Sequence, residues 1–446
     1  MATETAPEIP WHMRGNYGPV KEELTEFDLK VTGAVPPELD GLYLRNGSNP
    51  RGASSHWFFG DGMVHGVRLE KGKAAWYRNR WVRTPKLVGD LDAMDPSVIL
   101  DRKASAANTH VIGHAGKILA LEEGHFPWEL SPELETLGCL DYDGKLTTAF
   151  TAHPKLCPET NELHFFGYGP TPPYLTYHVL DAKGDLVHSA EIEVPGPTMM
   201  HDFITTRDHA IFMDLPVVFD LSKLAEGETP LRWDESYGAR IGIMPRMGTN
   251  ADIRWFDIDP CYVFHPMNAF VDGDKVVCDV GRHEYMWRDS MDDFAPSYLY
   301  RWTFDLRTGE KTETQLDDVS HGFPRVDDRK IGLRNRYGWA IAERPENQGD
   351  QDMSNPAVVI KYDLEKGGSE IHDLGVNGHP AEFVFAEASD SAGEDEGWVM
   401  GFVYDSATDS SDLVILDAQN ISADPVARIH LPQRVPFGFH GSWIRS

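Results

Sequence analysis

An all-β fold is predicted from three observations: short apolar and β-branched runs recur along the 446 residues, turn dipeptides stand between them, and long amphipathic helical patterns are nearly absent. The runs include Lys117–Leu121, Leu163–Tyr168 and Leu175–Leu180, then 210–215, 275–280, 298–304, 357–362, 398–404 and 413–416. Between them lie Asp61-Gly62, Asp143-Gly144, Gly184-Asp185, Asp272-Gly273, Thr308-Gly309 and Lys366-Gly367, pairs that favour the positive-φ positions of hairpin turns. The best helical stretch, Leu221–Glu226, amounts to one or two turns. A strand–turn–strand rhythm of this length suits a β-propeller better than a sandwich. The shape Asp, short gap, Gly repeats at 141–144, 181–184 and 305–309 as the hairpins of successive blades would, too faintly to count the blades.

Composition narrows the function. Hydrophobic residues make up 41% of the chain, ample for a large core, and no low-complexity tract or Pro/Ser linker divides it, so residues 1–446 read as one domain. The net charge of −30 describes an acidic, self-repelling surface and disfavours nucleic acid as a partner, since phosphates need a basic face. Acidic clusters at Asp90, Asp92 and Asp95 and at Glu394-Asp395-Glu396 read as solvated loops. The four cysteines, Cys139, Cys157, Cys261 and Cys278, form no C-x-x-C pair. The N-terminus lacks a signal-peptide pattern and no stretch approaches the roughly 18 apolar residues of a membrane span. A cytoplasmic protein without stable membrane insertion is the expectation.

Four histidines stand out: His153 in Thr-Ala-His-Pro-Lys, His201 in Met-Met-His-Asp-Phe, His265 in Val-Phe-His-Pro-Met-Asn and His440 in Gly-Phe-His-Gly-Ser-Trp. Each lies among apolar, aromatic or small residues near a strand-like run, where a propeller directs side chains to its axis. Imidazole suits iron, zinc, copper and nickel. HExxH is absent, which excludes a zincin, and the pairs His56/His65 and His372/His379 read as hairpin and loop structure. Two other readings suit an acidic propeller: a calcium-dependent hydrolase, with oxygen donors at the axis, and a scaffold that binds partners on one face. Metal content separates the three.

The local sequences around these histidines resemble those of the carotenoid cleavage oxygenase family, which includes the lignostilbene dioxygenases. The likeness runs through Gly41-Leu42-Tyr43-Leu44-Arg45-Asn46-Gly47, Gly60-Asp61-Gly62-Met63-Val64-His65-Gly66 and Tyr77-Arg78-Asn79-Arg80-Trp81 to Pro436-Phe437-Gly438-Phe439-His440-Gly441. It implies a seven-bladed propeller, a cap of loops and short helices over one face, and an axial iron(II), Fe(2+), held by His153, His201, His265 and His440. It also implies a non-haem iron oxygenase that uses O2 to split an alkene C=C bond into two carbonyl products. Four imidazoles on an octahedral ion leave two positions open. Members place three glutamates around the histidines: Glu123 matches the partner of His201, and Glu382 that of His440. Both lie in apolar strands, where an unpaired charge is costly.

Two departures matter. The family's Glu-Phe-Pro-Arg is Gly322-Phe323-Pro324-Arg325 here, so His265 loses its carboxylate, and water, a backbone carbonyl, His321 or Asp318 is left to replace it. Stilbene and isoeugenol cleavers carry a lysine just before the first glutamate, where this chain has Glu122, which cannot stabilise a phenolate. The short acidic link 221–230 replaces the apolar insertion of many carotenoid cleavers. The expected substrate is therefore a soluble alkene, stilbenoid, phenylpropanoid or apocarotenoid, ahead of a long carotenoid. Trp57, Phe59, Phe126, Trp128, Phe264 and Phe439, near the ligand motifs, are the candidate substrate contacts.

Overall fold

In a computed structural model, which describes residues 9–52, 54–226, 229–344 and 355–446, seven antiparallel sheets form a β-propeller. The residues 1–8 read for a targeting signal and residues 227–228 of the acidic link lie outside the described residues. The first blade contains Gly41–Ser48, Gly62–Glu70 and Lys73–Trp81. The second runs from His110–His114 to Thr136–Cys139, and the third from Lys155–Leu156 to Leu186–Glu191. The fourth spans Ile204–Thr205 to Arg254–Ile258, the fifth Tyr262–Asp272 to Lys311–Gln315, and the sixth His321–Arg325 to Ser369–Asp373. The seventh begins at Gly378–Pro380 and includes Gly397–Asp405, Ser410–Asp417 and Ala427–His430.

Both chain ends close the ring. The C-terminal strand Gly441–Arg445 pairs with Gly41–Ser48 as the innermost strand of the first blade. Near the N-terminus, Thr25–Phe27 extends the outer edge of that blade and Val31–Gly33 does the same for the seventh. Adjacent blades pack through apolar faces: Phe150 and Phe165 stack 3.9 Å apart in a cluster with Ile112, Leu119 and Leu121, and Tyr177, Phe203 and Phe212 fill the next interface. Each such side chain, fully buried, contributes about 1.5–3 kcal/mol.

Of the predicted turns, Gly273 has φ +62° and joins Tyr262–Asp272 to Lys275–His283, as its Asp-Gly pair requires. Asp61-Gly62 is different. Gly62 opens a strand, and a Cβ there would lie 2.1 Å from the Ala107 carbonyl oxygen, so close backbone approach, not turn geometry, requires glycine.

Strand alternation decides what surrounds the axis. Innermost strands begin on one face, so connections between blades, and those between a blade's second and third strands, all come to that face. These connections carry the helices Pro85–Gly89 and Pro96–Leu100, the turn Trp57–Phe59, the ribbon of Val217–Phe219 with Leu231–Trp233, and the loop 284–296. They meet through aromatic contacts, Phe58 with Trp287 and Trp57 with Phe439, and form the expected cap. Leu221–Glu226 is a 3-10 segment. Among the described residues, no helix is long and apolar enough to cross a membrane.

Candidate metal centre

His153 and His201 immediately precede the innermost strands of the third and fourth blades, His265 lies within that of the fifth, and His440 precedes the closing strand Gly441–Arg445. The backbone fixes each start. His153 N donates to Thr151 Oγ1, and His440 N donates to the Thr109 carbonyl while its own carbonyl accepts from Asn46 N. The result is a cluster whose four ring nitrogens lie within 4.8 Å of one another. His201 Nε2 and His265 Nε2 are 3.1 Å apart, and the buried Nε2 of His153 has no hydrogen-bond partner.

This donor set fits a metal ion. Metal–imidazole bonds of about 2.1 Å put neighbouring donors about 3 Å apart around an octahedral ion, close to the His201–His265 spacing. Burial first, then the neighbouring imidazoles, push the pKa values of His153 and His265 well below the usual histidine range, so both rings keep a free lone pair.

Carboxylates stand behind the rings. His201 Nδ1 is 2.5 Å from Glu123 Oε1, a close but non-linear contact, and Tyr168 Oη donates to Glu123 Oε2 at 2.5 Å. Nδ1 of His440 donates to Glu382 Oε1 at 3.1 Å, and Gly441 N donates to Oε2 at 2.8 Å. Arg325 Nη1 is 3.5 Å from the same carboxylate, which is only 2% exposed. Although burial raises the Glu382 pKa, Arg325 and then His440 bring it down to about 2.

Behind His265 the arrangement differs. A Cβ at Gly322 would meet nothing within 4 Å, and neither His321 nor Asp318 hydrogen-bonds to His265 among the described residues. The Phe323 ring, on a backbone with φ +52°, stacks on His265 at 5.5 Å and 24°. The expected loss of a carboxylate at Gly322 thus leaves open space at that position, with the Phe323 ring over the face of His265.

Sequence reasoning missed three contributors. Asp202, 3% exposed, lies 3.7 Å from His153 Nδ1 and pairs with Lys155 Nζ at 2.7 Å. Tyr168 was included in a strand run as packing. His110, buried 5.2 Å from the His440 ring, donates through Nδ1 to the Ala152 carbonyl, and burial takes its pKa down to about 3. A carboxylate inside an apolar segment is the signal that could have identified Asp202.

Of the aromatic candidates, Phe264 meets the His201 ring edge-on at 4.6 Å, and Phe439 packs on Trp57 at 4.6 Å in the cap. Phe59 neighbours His56 at 5.7 Å. Phe126 is buried among Ile112, Leu121 and Phe150, and Trp128 in the adjoining cluster with Ile118 and Leu130. Both therefore pack in blade cores. Glu122 faces no cluster histidine: it pairs with His125 Nδ1, whose Nε2 is 3.0 Å from the Val98 carbonyl of the cap helix. On the opposite face of the propeller, a cavity of about 1050 Å³ opens between the hairpin at Gly116 and Ser446 and reaches in to His153, His265 and His440.

A seven-bladed propeller with four converging imidazoles and outer carboxylates defines a metal-centre propeller class. The profile of the retinal pigment epithelial membrane protein (RPE65) family matches residues 17–445, and the chain belongs to this family, that of the carotenoid cleavage oxygenases. It is 37% identical to a carotenoid cleavage oxygenase of Mycobacterium tuberculosis, over 97% of each chain. Identity to an isoeugenol monooxygenase of Pseudomonas nitroreducens is 33%, over 96% of this chain and 97% of the other. The crystal structure of Pseudomonas brassicacearum lignostilbene dioxygenase superposes with a TM-score of 0.91 at 30% identity, covering 98% of this chain and 100% of that one.

Proposed function

We propose that the protein is a non-haem iron(II) dioxygenase that cleaves a C=C bond of a small hydrophobic alkene with O2 to give two carbonyl products. The observation that carries this reading is the buried convergence of four imidazoles in a chain that aligns almost end to end with named alkene-cleaving oxygenases. His153, His201, His265 and His440 would hold the ion. Iron supplies the redox chemistry that lets triplet O2 react with a closed-shell alkene.

The protein supplies orientation and dryness. Glu123 and Glu382 fix the rings of His201 and His440 and offset the charge of the ion. Phe264 and Phe323, which stack on or abut the ligand rings, give the alkene a flat apolar wall, and the cap aromatics Phe439 and Phe59 extend it outward. Phe126, packed in a blade core, acts at most through that packing.

For the substrate class, the short link at 221–230 and the 0.91 TM-score to a stilbene-cleaving enzyme support a stilbenoid, phenylpropanoid or apocarotenoid. Glu122, tied to His125, offers no cation to a phenolate, so a mechanism that needs an ionised 4-hydroxyl is disfavoured. A longer carotenoid is the second reading, favoured by the 37%-identical relative named for carotenoid cleavage. Four free cysteines support a reducing, cytoplasmic setting, and the ring closed by both chain ends supports reading residues 1–446 as one domain.

The test is aerobic incubation of the iron-loaded protein with stilbenes, vinyl phenols, apocarotenals and C40 carotenoids, with mass spectrometry of the carbonyl products and metal analysis of the protein. One iron per chain and paired carbonyl products from one substrate class are expected. Calcium in place of iron, or intact alkenes throughout, would overturn the reading.

A further inference from the structure

We infer that Asp202, braced by Lys155, positions His153 at the metal centre, so that this chain keeps three carboxylates around its four imidazoles although Gly322 supplies none. The inference rests on the proposed role of His153 as a ligand and adds the group that orients it.

The geometry assigns each oxygen of Asp202 a task. Oδ1 accepts from Lys155 Nζ at 2.7 Å and from Phe203 N at 2.7 Å, which occupies it fully. Oδ2 turns to His153 Nδ1 at 3.7 Å. That spacing exceeds a direct hydrogen bond, so the carboxylate acts by charge on the ring N–H. At 3% exposure it is little screened by water, and the Lys155 ammonium, which lies on the far oxygen, offsets part of its field. With Nδ1 facing a carboxylate, the lone pair of His153 belongs on Nε2, the partnerless nitrogen that faces the other three rings.

The pattern is shared with the two glutamates. Glu123 leaves the second blade to meet His201 at the entry to the fourth, and Glu382 leaves the seventh to meet His440 at the closing strand. Asp202, at the entry to the fourth blade, meets His153 at the entry to the third. Each carboxylate thus ties a histidine to a different blade. Among the described residues His265 pairs with no carboxylate, and Phe323 stacks on its face. Lys155 fixes Oδ1 and balances the buried carboxylate, which leaves Oδ2 turned to the ring.

Asp202→Asn keeps the shape of the side chain and an oxygen for Lys155 and Phe203 N, and removes both the charge and the acceptor that face His153. In the iron-loaded protein under anaerobic conditions, this variant should release iron to a chelator about 10–100-fold faster than wild type. The visible absorption of its cobalt(II)-substituted form should shift, since one ligand changes basicity. Lys155→Met removes the cation that fixes Oδ1 and should speed release in the same direction. A wild-type release rate and cobalt spectrum in Asp202→Asn would overturn the inference. So would faster release with an unchanged cobalt spectrum in Asp202→Asn, the mark of a purely structural pair. Loss of iron from His153→Ala tests the underlying ligand assignment separately: an undiminished iron content there sinks that assignment and the inference with it.

Discussion

At Gly322 a single missing side chain has consequences that can be measured. The space is open, so Gly322→Glu introduces a carboxylate without a backbone clash, in a strand where glycine has no positive φ to protect. Restoring it is expected to tighten iron retention about 10–100-fold in chelator competition. Unchanged retention would mean that Phe323 already orients His265 as well as a carboxylate does. Glu382→Gln goes the other way, weakening retention by a similar factor and leaving Arg325 with Asp328 as its anionic partner. Because the Glu382 pKa falls from its usual value near 4.5 to about 2 on folding, its contribution to stability is complete above pH 4.5 and is lost as pH falls through about 2. Acid unfolding of the Gln variant should therefore show a shallower pH dependence across that window. These residues differ in legibility. Glu123 and Glu382 were legible through the family resemblance, and the cost of an unpaired charge in an apolar stretch agreed with it. The same rule applied to Met199-Met200-His201-Asp202-Phe203 identifies Asp202. His110 and Tyr168 gave no such sign, because a histidine or tyrosine in a strand is at home in a core.

The cap element Pro96–Leu100 has a pH-dependent attachment. His125 stands between two acceptors, the Glu122 carboxylate at Nδ1 and the Val98 carbonyl at Nε2, and both contacts need an N–H, which only the imidazolium has. Burial lowers the His125 pKa, but the Glu122 charge outweighs it and the net shift is upward. With the folded pKa raised, the stabilisation is fully present below the unfolded value of 6.5 and is lost as pH rises through the folded value. Glu122 itself is shifted down: burial opposes ionisation and His125 overrides it, so its share is lost only as pH falls below 4.5. A charged hydrogen bond of this kind contributes about 1.5–3 kcal/mol. Hydrogen exchange of the amides at 96–100, corrected for intrinsic rates, should quicken at alkaline pH in wild type and be fast at every pH in His125→Phe. Identical profiles would show that the helix is held by packing alone. Regular strands such as Lys117–Leu121 and Leu163–Tyr168 were legible because a short apolar run between turn residues is a local signal. This latch was not, because Val98 and His125, 27 residues apart, meet only when the second blade folds beneath the helix that precedes it.

The ring as a whole joins metal binding to closure. Three of the candidate ligands enter the third, fourth and fifth blades, and the fourth, His440, sits at the start of the strand that completes the first. An ion held by all four therefore ties one side of the ring to its seam, and only the closed ring presents the full set. The sequence rhythm announced a propeller but not its seven blades, since blades pack through apolar faces that tolerate any well-fitting residue and so leave no fixed repeat. The seam was equally hidden: Gly441 must be glycine because a Cβ there would lie 2.6 Å from the Leu44 carbonyl, a contact between residues almost 400 positions apart. Binding restricted to the folded ring stabilises it by mass action, about 2.7 kcal/mol at a free ion concentration of one hundred times Kd. Anaerobic ferrous ion should then raise the Tm by roughly a few degrees, in a concentration-dependent way. Magnesium, which prefers oxygen donors, should not. In His440→Ala the metal-free Tm should fall, because Glu382 loses the ring N–H that pairs with it, and the ferrous increment above that lower Tm should largely vanish. A full increment in His440→Ala would mean that the ion is held away from the seam, and the link between closure and binding would be lost.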